Sequence, residues 1–120
     1  MTTISTLILV ALFIHWVFDF VLQTHWMATN KSKSNRALGA HVGVYTIGMT
    51  LLAVIALGPT VGAILFTLIN GAFHFGVDYC TSRVTSHLWQ KTDVHNFFVV
   101  VGFDQLIHAT TLILTLTSFL

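Results

Sequence analysis

The sequence predicts an all-α fold, an integral membrane four-helix bundle, from its composition and from four long apolar stretches. Of the 120 residues, 55% are hydrophobic and only 8% are charged, which is typical of membrane proteins rather than soluble domains. A transmembrane helix needs about 20 apolar residues, and four stretches reach that length. They are continuous rather than alternating, which favours helices over a closed β-barrel. The predicted spans form one domain and cover residues 3–23, 37–57, 60–80 and 96–119.

The first stretch is predicted to be a retained span rather than a removable signal peptide. No basic residue precedes it, and its apolar run contains His15 and Asp19 with no small-residue cleavage site after them. Gly58 and Pro59 separate the second stretch from the third and predict a hinge there. Glycines on spans two and three predict close helix approach. They are Gly39, Gly43, Gly48, Gly71 and Gly76.

The positive charges predict the orientation in the membrane. All five Lys and Arg residues fall between spans one and two or between spans three and four, and none lies at a terminus or in the Gly58 hinge. Because basic loops stay in the cytoplasm, both charged loops are predicted inside and both termini outside. The five residues are Lys31, Lys33, Arg36, Arg83 and Lys91.

Three histidine–aspartate pairs inside the apolar spans predict the functional site. The two residues of each pair are four apart, so they lie on one helix face, one turn apart. An ionisable side chain costs about 2.5–3.5 kcal/mol in a membrane even on the lenient insertion scale, and by default it indicates function. With no Lys or Arg near the middle of these spans, the carboxylates must be protonated, paired with imidazolium or bound to a metal. The pairs are His15/Asp19, His74/Asp78 and Asp104/His108.

These pairs and His41 are all predicted to lie in the cytoplasmic half of the bundle, while the outer halves of the spans contain nothing more polar than Ser or Thr. This distribution favours a site open to one side over a pore. Mixed His and carboxylate ligation predicts one or two divalent ions, and zinc, manganese and iron all stay open. The alternative is a structural role, with His and Asp hydrogen-bonded between helices. The predicted ligands are His15, Asp19, His41, His74, Asp78, Asp104 and His108.

Other polar residues near these pairs are predicted to support the site. Gln23 and Asn70 extend the two His/Asp faces by one turn, and Tyr45 follows His41 by one turn. Such neighbours commonly orient metal ligands. Arg83, just past Asp78, could pair with that carboxylate or hold a substrate phosphate.

A short internal repeat suggests two helical hairpins. His15 and His74 each begin the pattern His-x3-Asp-aromatic, and each half would then be a hairpin with a basic loop. Such hairpins commonly pack as a four-helix bundle with a shared site between facing helices. The match is short, so coincidence stays open.

Four motifs carry a resemblance to a known family. Together they resemble a small bacterial and phage membrane family catalogued as domain of unknown function 3307. The resemblance implies a multi-pass protein of the bacterial inner membrane and supplies no activity. More loosely, the repeated His-x3-Asp pattern is similar to the membrane-bound metal-dependent hydrolase family, although likeness of fold does not establish function. The motifs are His-x3-Asp-Phe-x2-Gln-x2-Trp-Met-Ala-x-Asn-Lys from His15 to Lys31, Leu-x2-His-x3-Tyr from Leu38 to Tyr45, His-x3-Asp-Tyr from His74 to Tyr79, and Asp-Gln-x2-His from Asp104 to His108.

The site predicts a metal-dependent hydrolase that acts from the cytoplasmic side on an amphiphilic or phosphorylated substrate. A divalent ion lowers the pKa of bound water toward about 7 and polarises the scissile bond, and a free Asp or His would carry the proton. Arg83 with Lys31 or Lys33 would hold the anionic group. The candidate catalytic carboxylates are Asp19, Asp78 and Asp104.

Two other functions remain as alternatives. The same His and Asp residues could relay a metal ion or proton across the membrane, which the apolar outer halves disfavour within one subunit but which a homo-oligomer could permit at an interface. An accessory membrane protein without catalysis is the third possibility. The expected partners are the lipid bilayer and the substrate; the chain has no basic stripe, so no nucleic acid is expected.

Overall fold

The computed structural model describes residues 3–120, which form five α-helices and one π-helical segment. The helices α1, α3, α4 and α5 are long, and each of them, α1 together with the π-helical segment, is long and apolar enough to cross a membrane. The predicted all-α class with four spans is confirmed for this part of the chain. The elements are α1 (Thr3–Trp16), the π-helical segment (Val17–Val21), α2 (His25–Asn30), α3 (Asn35–Leu57), α4 (Val61–Gln90) and α5 (Val94–Phe119).

Short polar side chains begin helices α2 to α5. The hydroxyl groups of Thr24, Ser34 and Thr60 each accept the backbone N–H three residues further on, and Asp93 does the same for α5 by accepting from Asn96. Each of these caps satisfies a donor that the first helical turn leaves free. The Asn96 side-chain amide also donates to Asp93, and these two hydrogen bonds hold the pKa of that exposed carboxyl below its ordinary value.

Gly58 ends α3 at the predicted hinge. Its φ of +66° lies in the left-handed region that glycine adopts without steric cost. Pro59 follows, and α4 begins at Val61, so α3 and α4 pack as antiparallel neighbours.

The four long helices form a bundle in which each packs against two others. Helix α1 contacts α3 and α5, and α4 contacts α3 and α5. We call the end at which α2 and the loops 31–34 and 91–93 lie the basic end. The other half is filled by a core of apolar side chains that includes Leu52, Phe66, Leu112 and Leu116. Most of the buried ionisable groups lie in the half toward the basic end, which separates the site from the apolar core.

Two elements differ from the predicted boundaries. Helix α4 continues ten residues beyond the predicted end at residue 80 and reaches Gln90, so Arg83 lies on a helix rather than in a loop. The connection between the first two spans contains the short helix α2. Hydropathy falls where a chain leaves the apolar layer, but a helix continues until a capping or turn residue ends it, so the two boundaries need not coincide.

Only two of the predicted packing glycines lie at tight helix contacts. A Cβ on Gly71 would lie 2.8 Å from Thr46 Oγ1, and a Cβ on Gly48 would collide with the ring of Phe18. The other three have open space where a Cβ would stand, so the prediction of close approach is wrong for them. They are Gly39, Gly43 and Gly76.

Candidate metal centre

Ionisable side chains from four parts of the chain converge in the half of the bundle toward the basic end. Asp19 comes from the π-helical segment, His41 from α3, His74 and Asp78 from α4, and Asp104 and His108 from α5. All are buried except Asp104, which is half-buried. Residues that are up to 89 positions apart in the chain therefore share one site.

The shortest contacts join different helices rather than the pairs seen in the sequence. Within the pairs, the Nε2–carboxylate distances are 3.6 Å for His15–Asp19, 3.5 Å for His74–Asp78 and 3.3 Å for His108–Asp104. Between helices, His108 Nε2 lies 2.9 Å from Asp78 Oδ1, and His41 Nε2 lies 3.1 Å from Asp19 Oδ1. The pairing by four-residue spacing thus brings the groups to one face, and the packing of helices joins them into a single cluster.

Four of the converging atoms form what we call the first ligand group: Asp19 Oδ1, His41 Nε2, His74 Nε2 and Asp78 Oδ2. The His41 nitrogen lies 3.1 Å and 3.2 Å from the two carboxylate oxygens, and the His74 nitrogen lies 3.3 Å and 3.5 Å from them. The two nitrogens are 3.2 Å apart. A tetrahedral ion with ligands at about 2.0–2.1 Å spaces its ligand atoms about 3.3–3.4 Å apart. The group has the size of a tetrahedral metal site.

Hydrogen bonding alone accounts poorly for this arrangement. Both Nε2 atoms face both carboxylates and also face each other at 3.2 Å, so two N–H groups directed at the carboxylates would lie side by side. The Nδ1 atoms of His41 and His74 are buried and have no partner among the described residues. The hydrogen-bonding capacity of both rings is therefore directed at one point between the four atoms, where a cation would satisfy all of them at once.

A stack of three rings fixes the orientation of two of the imidazoles. Tyr45 stacks on His74 with a centroid distance of 3.8 Å, and His74 stacks on His108 at 4.0 Å, with planes inclined by 21° and 19°. Two imidazolium cations at that separation would repel each other. Neutral rings, the form that a metal requires, fit this stack better than charged ones.

Three atoms form a second ligand group: Asp78 Oδ1, Asp104 Oδ2 and His108 Nε2. The His108 nitrogen lies 2.9 Å from the Asp78 oxygen and 3.3 Å from the Asp104 oxygen. All three atoms lie within 4.8 Å of one another. Asp78 contributes one oxygen to each group, so its carboxylate links the two.

Gln105 joins two of the carboxylates and gives His15 a different role from the predicted one. Its amide nitrogen donates to Asp19 Oδ2 at 3.2 Å and to Asp104 Oδ2 at 3.0 Å. Carboxylates only accept, so the amide oxygen of Gln105 must face His15 Nε2, at 3.0 Å. That nitrogen must then carry a proton and donate it. His15, predicted as a ligand, therefore has no free lone pair on Nε2, and it supports the ligands through Gln105.

Lys31 provides a positive charge that the sequence analysis did not place at the site. It follows α2 at the basic end, and its ammonium group lies 2.9 Å from Asp78 Oδ2. Its side chain is 21% exposed and that of Asp78 is 2% exposed. The long Lys31 side chain thus reaches from the membrane boundary into the buried cluster, and it neutralises part of the carboxylate charge.

The remaining predicted site residues lie at different distances from the cluster. Tyr45 contacts it through the ring stack and through its hydroxyl, 3.4 Å from His15 Nδ1. Asn70 donates to Phe66 O and to Thr115 Oγ1, so it connects α4 with α5 away from the ligands. Arg83 lies over the Tyr79 ring, 3.5 Å from its centroid, and donates to the Tyr79 carbonyl. Neither of the predicted roles of Arg83 matches these contacts.

A cavity of about 660 Å³ lies between the cluster and the basic end. Asp19, Lys31 and Asp104 contribute its charged wall, and Gln105 joins them. Other walls carry hydroxyl groups or apolar rings. These are Thr29, Ser32, Thr81, Ser82, Thr85 and Ser86 on one hand, and Phe20, Trp89, Phe97 and Phe98 on the other.

Two buried polar atoms in the cavity wall have no partner among the described residues: Gln23 Oε1 and Ser82 Oγ. Gln23 was predicted to orient the ligands, but it lies in the cavity wall instead. Ser82 follows Asp78 by one turn of α4. Because buried polar groups are normally paired, these two atoms are available to a molecule in the cavity.

A family model described as Protein of unknown function (DUF3307) matches residues 7–120. The chain belongs to this family. The match includes every residue of both ligand groups, so the cluster lies within the family's own domain. No curated protein and no solved structure matches the chain significantly. The function of this DUF3307 protein must therefore be inferred from its own site.

Two contributors to the site in this DUF3307 chain were missed or misjudged in the sequence. Lys31 was interpreted mainly as a topology determinant, and Gln105 was quoted in a motif but given no role. Gln105 could have been found, because it is a polar residue inside an apolar span and directly follows Asp104. Lys31 gives no such signal, since a lysine at the end of a span is ordinary.

Proposed function

We propose that the protein is a metal-dependent hydrolase of phosphate esters of amphiphilic alcohols. The observation that carries the proposal is the first ligand group, four buried His and Asp atoms at tetrahedral spacing beside an open cavity. Such a set of nitrogen and oxygen ligands suits zinc best, with manganese or iron as alternatives. The ion supplies a polarised scissile bond and a more acidic water.

The cavity supports the choice of substrate class. Lys31 provides an ammonium group for an anionic group, and the hydroxyl-bearing wall provides hydrogen-bond donors. Trp89, Phe97 and Phe98 line another wall and would contact a hydrocarbon chain. An amphiphile with a phosphate head matches both kinds of surface, and the bilayer would supply it.

The reaction consumes one water molecule for each ester. The water oxygen forms a bond to phosphorus, and the bond between phosphorus and the alcohol oxygen breaks. One proton leaves the water and the alcohol oxygen gains one, so the products are the free alcohol and inorganic phosphate. Asp104 is the half-buried carboxylate of the cavity wall, and we assign it the role of accepting the water proton.

We also propose that the basic end faces the cytoplasm of a bacterial cell and that both termini lie outside the inner membrane. The support is the distribution of charge, because all five Lys and Arg residues belong to the basic end. Reporter fusions after Leu120 that are active only outside the cytoplasm would agree with this orientation, and fusions active only in the cytoplasm would contradict it.

Translocation of an ion or proton is the less favoured function. The half of the bundle beyond the cluster is packed with buried apolar side chains such as Leu52, Phe66 and Leu116. A path through one chain would have to cross that core, whereas a hydrolase needs access from one side only.

The proposal is tested by release of phosphate from monododecyl phosphate in detergent micelles. Protein stripped with a chelator should be inactive, and addition of Zn²⁺ or Mn²⁺ should restore release. Asp78→Asn should lower the rate by at least about 100-fold, since the loss of a group that holds the metal removes its electrostatic stabilisation. Butyl phosphate, which lacks the long chain, should be cleaved far more slowly.

Asp93→Asn is the matched control. It changes an exposed carboxylate outside the cluster, and Asn caps a helix as well as Asp does, so its rate should equal that of the wild type. If metal-loaded protein releases no phosphate from monododecyl phosphate, or if Asp78→Asn releases it as fast as Asp93→Asn, the hydrolase proposal is wrong.

A further inference from the structure

We propose that the second ligand group binds a second divalent cation and that this cation binds together with the phosphate group of the substrate. The inference rests on the proposed function and adds to it the number of ions and their order of binding. It is built on Asp78 Oδ1, Asp104 Oδ2 and His108 Nε2, which lie within 4.8 Å of one another.

The link between the two groups is the Asp78 carboxylate. Its Oδ2 atom faces His41 and His74 at 3.2 Å and 3.5 Å, and its Oδ1 atom faces His108 at 2.9 Å. A carboxylate that uses one oxygen for each of two groups can bridge two ions, and paired ions are a common device for phosphate esters because they stabilise both the attacking and the leaving oxygen.

The two groups differ in the number of ligands. The first has four protein ligands, which is typical of a closed site, whereas the second has three, which is typical of a site that keeps a position open for water or substrate. Asp104 of the second group lines the cavity, and Thr81 donates to its other oxygen, Oδ1, at 2.5 Å. The open side of the second group therefore faces the cavity.

A buried polar atom points to the ligand that would complete the second group. Ser82 is 7% exposed, its Oγ atom has no partner among the described residues, and it lines the same cavity. A phosphate oxygen or a water molecule in the cavity would satisfy this hydroxyl group, which otherwise remains a buried and unpaired donor.

The charges in the cluster set the order of binding. With neutral imidazoles, the carboxylates of Asp19, Asp78 and Asp104 and the ammonium of Lys31 leave two negative charges, which one divalent ion neutralises. A second divalent ion would leave two positive charges buried in a medium of low dielectric constant, which is costly. A phosphate dianion in the cavity would remove that excess, so the second ion and the phosphate should bind cooperatively.

The experiment counts the ions bound to each chain. Chelator-stripped protein is equilibrated with Mn²⁺ alone, with Mn²⁺ and inorganic phosphate, and with Mn²⁺ and dodecylphosphonate, whose carbon–phosphorus bond is not an ester bond. We expect about one ion per chain with Mn²⁺ alone and two with either anion, because the anion should tighten the second site by at least about tenfold. The two anions distinguish free phosphate from an amphiphile as the preferred partner. Electron paramagnetic resonance should change from the signal of isolated Mn²⁺ to that of a coupled pair.

Two variants identify the second site. Asp104→Asn should bind one ion under all three conditions, since it removes a ligand of the second group alone. Thr81→Val, which removes only the hydrogen bond to Asp104, should weaken the second ion without abolishing it. Asp93→Asn should behave as the wild type does, and thermal unfolding verifies that each variant is folded.

The outcomes separate this inference from the proposed function. One ion per chain in the wild type with both anions would overturn the second site and leave the hydrolase proposal in place, as would two ions in Asp104→Asn. Two ions in the wild type without cleavage of monododecyl phosphate would support the second site and overturn the hydrolase proposal.

Discussion

Asp78 is the residue on which both ligand groups depend. It is 1% exposed, and its two oxygens contact side chains from α3, α4, α5 and the loop after α2. A buried carboxylate is tolerated when its charge is compensated on every side. The compensating groups are Lys31, His41, His74 and His108.

Lys31→Met tests the charge that enters the cluster from the loop. Without the ammonium group 2.9 Å from Asp78, the cluster is more negative, so we expect the first divalent ion to bind about tenfold more tightly, since removal of one nearby like charge is worth about 1.4 kcal/mol or more. Phosphate should bind more weakly, because Lys31 lines the cavity. Both affinities can be measured by isothermal titration calorimetry.

Lys33→Met is the control for this change. It removes an equal charge from an exposed side chain of the same loop, where solvent screens it. Equal effects of the two substitutions on the metal affinity would mean that the contact between Lys31 and Asp78 is not formed in the protein.

The spacing of His and Asp in the sequence indicated which residues share a helix face, but it could not indicate which atoms meet. His15 and His74 have the same pattern, yet His74 belongs to the first ligand group, whereas His15 donates to Gln105. The difference arises from neighbours on other helices. A pattern within one helix carries no information about them, so His15 and Arg83 were given roles that their contacts do not match.

At the scale of the elements, the π-helical segment separates the first His/Asp pair from the others. Asp19 lies within the segment, and the backbone N–H of Leu22 donates to the carbonyl of Val17, five residues earlier. The wider turn lets Asp19 face His41 and His74 across the bundle, at 3.1 Å and 3.3 Å. Such segments often occur at functional sites. Apolar periodicity does not reveal them, so the sequence predicted an ordinary helix here.

Gly71→Leu tests the close approach of α3 and α4. A side chain at this position would meet Thr46 Oγ1, which donates to the Val42 carbonyl at 2.7 Å and is therefore held in place. We expect a loss of about 1–3 kcal/mol, typical of overpacking, and a lower Tm in detergent.

Gly76→Leu on the same helix provides the comparison. It has open space where a Cβ would stand, so we expect a Tm near that of the wild type. If Gly76→Leu is destabilised as strongly as Gly71→Leu, the helix packing described for α3 and α4 is incorrect.

At the scale of the whole molecule, the bundle divides into an apolar half and a half that contains the ionisable cluster. The apolar half holds α1, α3, α4 and α5 together through side chains such as Leu52, Phe66 and Leu112. This division was predictable, because the outer parts of the spans contain no ionisable residue. A rigid apolar half can fix the cluster from one side while the cavity leaves it accessible from the other.

The most direct test of the central claim is the metal content of the purified protein, measured by elemental analysis after gel filtration. We predict about one tightly held divalent ion per chain, removed by a strong chelator with a fall in Tm, because an ion that binds only the folded state stabilises it. Asp78→Asn should elute without metal, and Asp93→Asn should retain it. Wild-type protein that elutes free of metal, takes up none when it is supplied, and keeps its Tm in chelator would contradict the account.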